Sequence, residues 1–281
     1  MGSYDEESRN VFADFENYKM NIYSNYGLPE ISSNSSSYEL LQYIVLVISR
    51  RLQYRKAFKG GFLLTKLLGS QARATRDVDF SVDDKRTYDV VKIILAEIGD
   101  TFKKVGIIDE YIIKESVNET SAGGVVYKRN GTNIVSVDVG LHQLRTGITT
   151  YDFDIGVLDG FEVERMMADK IVSILSHNRY RRTKDLYDFW AISNNFSISI
   201  GKLVEYIKMR GGADWDNIPF SEEAILSYKL AWDKLVLTSV EAEELYKPEF
   251  DEVLYRFYKI ALPAKAGAVN FIWDCKSFSV R

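Results

Sequence analysis

The sequence predicts an α+β fold, with a mixed sheet flanked by helices over residues 1–160 and a helical bundle over residues 161–281. Three observations point there. β-type patterning runs from Lys104 to Val139 and contains Asn130-Gly131, a dipeptide that tolerates positive φ at both positions and marks a hairpin. Helical periodicity precedes that stretch, interrupted by short strand-like runs. Beyond Gly160 the β pattern stops and only helical periodicity remains.

Taken in order, residues 1–36 read as a polar lead-in with one short helix around Val11 to Tyr23. Ser37 and Glu39 then cap an amphipathic helix that carries Leu40, Leu41, Ile44, Val45 and Ile48 and runs to about Tyr54. A short strand at Ala57-Phe58-Lys59 enters a Gly60-Gly61 turn, a helix covers 62–68, and a strand begins at Asp77. Asp83-Asp84 opens a helix with Val90, Val91, Ile94 and Leu95 on one side. Strands are expected over 105–117, 125–128 and 134–139, and helices over 161–175, 181–192, 200–209, 222–237 and 248–262.

Composition narrows the function classes. An apolar fraction of 46% and a charged fraction of 27% are those of a soluble globular chain, and the apolar run from Tyr43 to Ile48 is far too short to span a bilayer. A polar, acidic N-terminus and the single Cys275 lead us to expect a cytoplasmic protein without disulfides or membrane attachment. A net charge of -4 disfavours non-specific coating of nucleic acid, but leaves room for a local basic groove at Arg179-Tyr180-Arg181-Arg182-Thr183-Lys184. His142 and His177 have no metal-ligand spacing, and no P-loop sequence occurs, so histidine-based hydrolysis and P-loop chemistry are set aside.

What remains is a constellation suited to phosphate and metal. Gly60-Gly61 before a helix lets the backbone approach a phosphate at the positive helix terminus. Asp77 and Asp79 stand two apart on a strand, so both carboxylates leave one face, an arrangement that is costly without a cation between them. In Ile134 to Val139 the alternation frees Asp138 as a third carboxylate on a strand that can lie beside the first. Together these match the needs of nucleotidyl transfer, in which metal-bound aspartates activate a hydroxyl and stabilise departing pyrophosphate. Lys170 falls between the apolar positions Met167, Ile171 and Ile174, where an ammonium calls for an anion such as a phosphate. Asp185 and Asp188 share a helix face, with Arg181 and Lys184 one turn before them.

Gly60-Gly61-Phe62-Leu63-Leu64, then Arg73-x-Thr75-Arg76-Asp77-Val78-Asp79-Phe80, Asp138, Glu164-x-x-x-Ala168-Asp169-Lys170 and Lys184-Asp185-Leu186-Tyr187-Asp188 resemble, in order, the AbiEii/AbiGii toxin family. The resemblance covers roughly residues 55–195 and implies a polymerase-β-like nucleotidyltransferase domain followed by a helical domain. Carried over, it implies catalytic roles for Asp77, Asp79, Lys170 and Asp185, and nucleotide contacts from Gly60, Gly61, Arg76 and Lys170. Mg²⁺ would sit on Asp77, Asp79 and Asp138. Arg179, Arg181, Arg182, Lys184 and Asp188 are candidate acceptor or phosphate contacts. The implied partners are an NTP, a tRNA acceptor end and an antitoxin from a neighbouring gene. A nucleotide-binding regulator without catalysis, and transfer to a small molecule or protein, are the other readings.

Overall fold

The structure, a computed structural model, describes residues 28–115, 121–142, 144–176, 182–218, 220–239 and 243–281. The expected helix around Val11 to Tyr23 lies outside them. The first described helix, α1 (Ser37–Arg51), is capped one residue earlier than the sequence suggests. Ser36 accepts from the Glu39 N–H while the Glu39 carboxylate accepts from the Ser36 N–H, because the glutamate of a capping box must stand three residues after the cap.

Strand β1 (Lys56–Lys59) runs straight into α2 (Gly60–Leu68) with no intervening loop. Strand β2 (Asp77–Val82) follows, then α3 (Lys85–Lys104), whose N-cap Asp84 accepts from the Thr87 N–H at 2.7 Å. Strands β3 (Glu110–Glu115), β4 (Ser121–Arg129) and β5 (Thr132–Leu141) form an antiparallel meander. Asn130 and Gly131 turn the β4–β5 hairpin with φ of 49° and 72°, as the dipeptide requires.

The sequence left β6 (Ile148–Phe153) and β7 (Gly156–Phe161) unassigned; they close the sheet in the order β3-β4-β5-β2-β1-β7-β6. Their pattern is faint because β6 lies at the edge with every side chain partly or fully exposed. The sheet is mixed: β2 is antiparallel to β1 and parallel to β5, and β7 is parallel to β1.

The second half carries α4 (Val163–Ile174), α5 (Thr183–Asn195), α6 (Ile200–Met209), α7 (Glu222–Asp233) and α8 (Phe250–Lys265). It is not purely helical, because β8 (Ile198–Ser199), β9 (Ile272–Asp274) and β10 (Ser279–Val280) pair in a small antiparallel sheet. One face of the large sheet buries Phe58, Phe80 and Val137 beneath α1 and α3. Leu63 and Leu64 of α2 instead join Ile171, Leu186 and Phe257 in a second core, so the later helices rest on α2. Among the described residues no helix is long and apolar enough to cross a membrane.

Candidate active site

Register along the sheet assembles the acidic face. Lys59 of β1 stands opposite Asp79 of β2, and Asp79 stands opposite Asp138 of β5. Side chains of residues paired across strands share a face, so Lys59, Asp77, Asp79 and Asp138 project together while Val78, Phe80 and Val137 fill the core behind them. The expected juxtaposition of the Asp138 strand with the Asp77 strand is observed.

Gly60 is required by two constraints at once. Its φ is +68°, and a Cβ there would lie 2.2 Å from Asp79 Oδ2. At Gly61 a Cβ would meet Thr75 Oγ1 at 2.9 Å. The pair therefore seats the N-terminus of α2 against the carboxylate, and Lys59 at its cap offers no side-chain bond to the first amides.

Asp79 has no hydrogen-bond or ion-pair partner among the described residues. Burial pushes its pKa up to about 6, with Lys59 opposing and the charges of Asp138 and Asp77 adding to the rise. Asp77 accepts a hydrogen bond from Ser136 Oγ, and its amide donates to Thr75 Oγ1 at 3.2 Å. Asp138 is half exposed and faces Lys114 at 3.4 Å. Among the described residues no group of three or more His, Cys, Asp or Glu side chains closes into a metal cage. The donor set is an open pair of carboxylates, Asp77 and Asp79, with Asp138 alongside and turned to Lys114. A half-buried, unpartnered carboxylate between two like charges, with carboxylate oxygens as the metal-ligating atoms beside it, suits a hard divalent cation.

Across the cavity the charges are already matched. Lys170 Nζ donates to Asp185 Oδ1 at 2.8 Å and to Asp188 Oδ2 at 2.7 Å. Arg73 grips both oxygens of Asp188 at 2.8 Å. Burial opposes the Lys170 charge, but Asp188 and Asp185 outweigh it and hold the pKa above the ordinary lysine value. Burial likewise pushes Asp188 up, and Lys170 and Arg73 pull it below the usual carboxylate range.

Arg210 adds a further ion pair to the lining. Arg210 Nε pairs with Asp169 Oδ1 at 3.2 Å, and its Nη1 lies 3.0 Å from His142 Nε2. Burial, with the charges of Lys59, Arg210 and Arg165, pushes the His142 pKa down to about 3, so the neutral ring accepts from Arg210 and donates from Nδ1 to Ser81 Oγ at 3.0 Å. Lys59 Nζ lies over the Phe161 ring at 5.4 Å. Lys59, Asp169 and Arg210, with Gly60, Asp79 and Lys170, line a cavity of about 310 Å³, and His142 stands behind Arg210. A second cavity of about 720 Å³ adjoins it and shares Arg73, Thr75 and Asp77.

A family model for the nucleotidyl transferase AbiEii toxin of type IV toxin-antitoxin systems matches residues 50–256. The chain belongs to the AbiEii nucleotidyltransferase toxin family. No curated protein sequence matches it. Among solved structures it is similar to JHP933 from Helicobacter pylori, at 14% identity and a TM-score of 0.46, over 82% of this chain and 91% of that one. It is also similar to MenT4, a nucleotidyltransferase toxin from Mycobacterium tuberculosis H37Rv, at 16% identity and a TM-score of 0.44, over 83% and 88% of the respective chains.

Of the residues singled out in this AbiEii chain, Gly60, Gly61, Asp77, Asp79, Lys170, Asp185 and Arg182 line the smaller cavity together. Arg76 does not; it opens, with Lys184, on the larger one. The anion expected at Lys170 is supplied by Asp185 and Asp188. Asp188 itself, grouped with acceptor contacts, is 3% exposed with both oxygens occupied, and so anchors Lys170 and Arg73. Arg179 and Arg181 lie outside the described residues. Lys59, Arg73, Asp169 and Arg210 were not assigned roles. The first three lie within or beside the motifs quoted above, but nothing local marks Arg210.

Proposed function

We propose that this AbiEii-family chain is a Mg²⁺-dependent nucleotidyltransferase that moves a nucleotide from an NTP to an acceptor hydroxyl, at the acceptor end of tRNA, and acts as the toxin of a toxin-antitoxin pair. The NTP would lie between a nucleotidyltransferase domain of residues 1–160 and a helical domain of residues 161–281. One observation carries the reading: Asp79 is half-buried without a partner against Gly60, beside Asp77, in a cavity walled by Lys59, Lys170 and Arg210.

Asp77 and Asp79 would hold Mg²⁺, which when bound offsets phosphate charge and favours ionisation of the attacking hydroxyl. The amides at the start of α2 and the Lys59 and Arg210 cations bind and orient the triphosphate. Lys170, held charged by Asp185 and Asp188, faces the same phosphates from α4. The acceptor oxygen bonds to the α-phosphorus as the bond to the bridging oxygen breaks. Pyrophosphate leaves with the electron pair and the hydroxyl proton passes to water.

The test is incubation of purified protein with Mg²⁺, each labelled NTP and total RNA. Label should enter tRNA, and Asp79→Ala should lower the rate by about a thousandfold without loss of fold. Unchanged transfer by that variant would refute the mechanism, and label confined to protein or small molecules would refute the acceptor.

A further inference from the structure

A third cavity, of about 640 Å³, shares no lining residue with the two that meet at Asp77. It is bounded by α5, by the first half of α8, by residues 243–246, and by Phe278 in the turn between β9 and β10. Its walls are aromatic and acidic. Trp190, Tyr246 and Phe278 supply rings, and Glu243, Glu244 and Glu252 supply carboxylates.

The protein meets one of these carboxylates itself. Glu252 Oε1 accepts from Arg256 Nη2 and from Trp190 Nε1, both at 2.9 Å, and the Arg256 guanidinium lies over the Phe278 ring at 4.5 Å. A cation between a carboxylate and an aromatic face is therefore already part of the wall. Arg256 is buried and fully engaged there, its Nη1 donating to Asn194 Oδ1 at 3.1 Å. Glu243 and Glu244 are exposed, and neither carboxylate forms an ion pair or hydrogen bond with a described residue.

Packing alone accounts poorly for two of the rings. Tyr246 is 69% exposed, although its ring stands 6.0 Å from that of the buried Trp190. Phe278 is 47% exposed at a φ of +51°, a left-handed backbone that a bulky side chain rarely adopts. Both keep apolar surface in water at the same cavity, and Phe278 does so at a cost in backbone strain.

The occupant follows from these walls. A phosphate or other anion would be repelled by Glu243 and Glu244, and a neutral apolar molecule would cover two carboxylates without pairing them. A cation on an apolar stem satisfies both, its charge meeting carboxylate and ring face while its carbons cover Tyr246 and Phe278. The volume is that of a small-molecule site. We propose that this cavity binds an organic cation of that kind, an alkylammonium or guanidinium, with Glu243 and Glu244 on the charge. Free polyamines and the basic side chains of a peptide carry the same chemistry. Because the cavities at Asp77 are separate, binding here stands or falls apart from nucleotidyl transfer.

The test is isothermal titration calorimetry on the full chain at low salt, with spermidine, with a capped Gly-Arg-Gly peptide and with guanosine. Spermidine or the peptide should bind at one site, and the tighter of the two names the source of the cation. Glu243→Gln/Glu244→Gln should weaken that binding by about tenfold or more, and Tyr246→Ala by about two- to fivefold. Glu222→Gln/Glu223→Gln, an equal change of charge at exposed positions on α7, should leave it within about twofold. All five positions are exposed, so each variant should keep the melting temperature of the unsubstituted chain. Equal loss in both double variants would reduce the effect to net surface charge. Guanosine binding that falls in Tyr246→Ala but not in Glu243→Gln/Glu244→Gln, with no cation bound, would make the cavity a base platform. Either outcome, or no binding of any probe, overturns the proposal.

Discussion

Two pairs of aspartates meet at the smaller cavity, lined by Asp77, Asp79 and Asp185 with Asp188 buried behind, and they are built to opposite ends. Asp185 and Asp188, three apart on α5, are met by Lys170, Arg73 and Arg182. Asp77 and Asp79, two apart on β2, crowd one another with no cation in contact, and Asp79 is pushed up to about 6. Both pairs look alike in a sequence, as acidic residues repeated at the period of their element. The difference lies in what the rest of the chain brings to them: the helix pair is finished by the protein, and the strand pair is not, which is the place the proposed function gives to a cation.

The strongest way to break the contrast is to neutralise one member of each pair. Asp79→Asn should cost about a thousandfold in transfer while leaving the melting temperature unchanged or slightly higher, since a repelled carboxylate has been removed. Asp188→Asn should do the converse first. It strands Lys170 and Arg73, and should destabilise the fold by about 3 to 5 kcal/mol in denaturant titration. If Asp79→Asn unfolds the chain and Asp188→Asn does not, the assignment of roles is inverted.

Gly60→Ala probes the seat between the strand pair and α2. The added methyl needs space now occupied by Asp79 Oδ2 at a φ of +68°. A loss of about 1 to 2 kcal/mol in stability, with activity falling alongside, is expected from denaturation and transfer assays. Gly69→Ala is the control, because φ is also positive there but a Cβ meets nothing within 4 Å. Its backbone strain should appear without the loss of transfer.

These comparisons also show what could be read in advance. The two-residue spacing of Asp77 and Asp79, the alternation that frees Asp138 and the Asn130-Gly131 turn are local patterns, and local patterns survive in a bare sequence. The partners are not local. Arg73 and Asp188 are 115 positions apart, and His142 and Arg210 are 68 apart. Nothing in the neighbourhood of either residue announces the other, so Lys170 could be seen to need an anion but not to have one already. The β6–β7 hairpin escaped for a different reason: an edge strand with one face open has few apolar positions to mark its period.

Acidity separates the two pairs in the metal-free protein. Asp79 has a folded pKa near 6 against an ordinary 3.8, so between those values the native state holds a proton that the unfolded chain has lost. Its contribution to stability therefore falls as pH rises from about 4 to 6, by roughly 2 to 3 kcal/mol. Asp188 is lowered, so its contribution is present above the ordinary carboxylate value and is lost as pH falls below it. Thermal melts in chelator across pH 4 to 7 should show the Asp79 component disappear in Asp79→Asn, and added Mg²⁺ should reduce it in the unsubstituted protein. A melting profile identical in both proteins would mean that Asp79 titrates normally and has no need of a cation.

The smallest effect expected is at His142, and it bears on how the cationic wall is held. The ring accepts from Arg210 and donates to Ser81, and with a pKa near 3 it stays neutral throughout the working range. Its part is to aim Arg210, with Asp169 fixing the other edge of the guanidinium. His142→Ala should raise the KM for NTP by about fivefold with little change in kcat, because slack in one phosphate-binding arm weakens binding more than chemistry. Between pH 5 and 8 the unsubstituted enzyme should show no histidine-like inflection from this residue. An inflection near 6.5 that vanishes in His142→Ala would instead make His142 a proton carrier, and the strand aspartates would no longer be the sole groups on that wall whose ionisation matters.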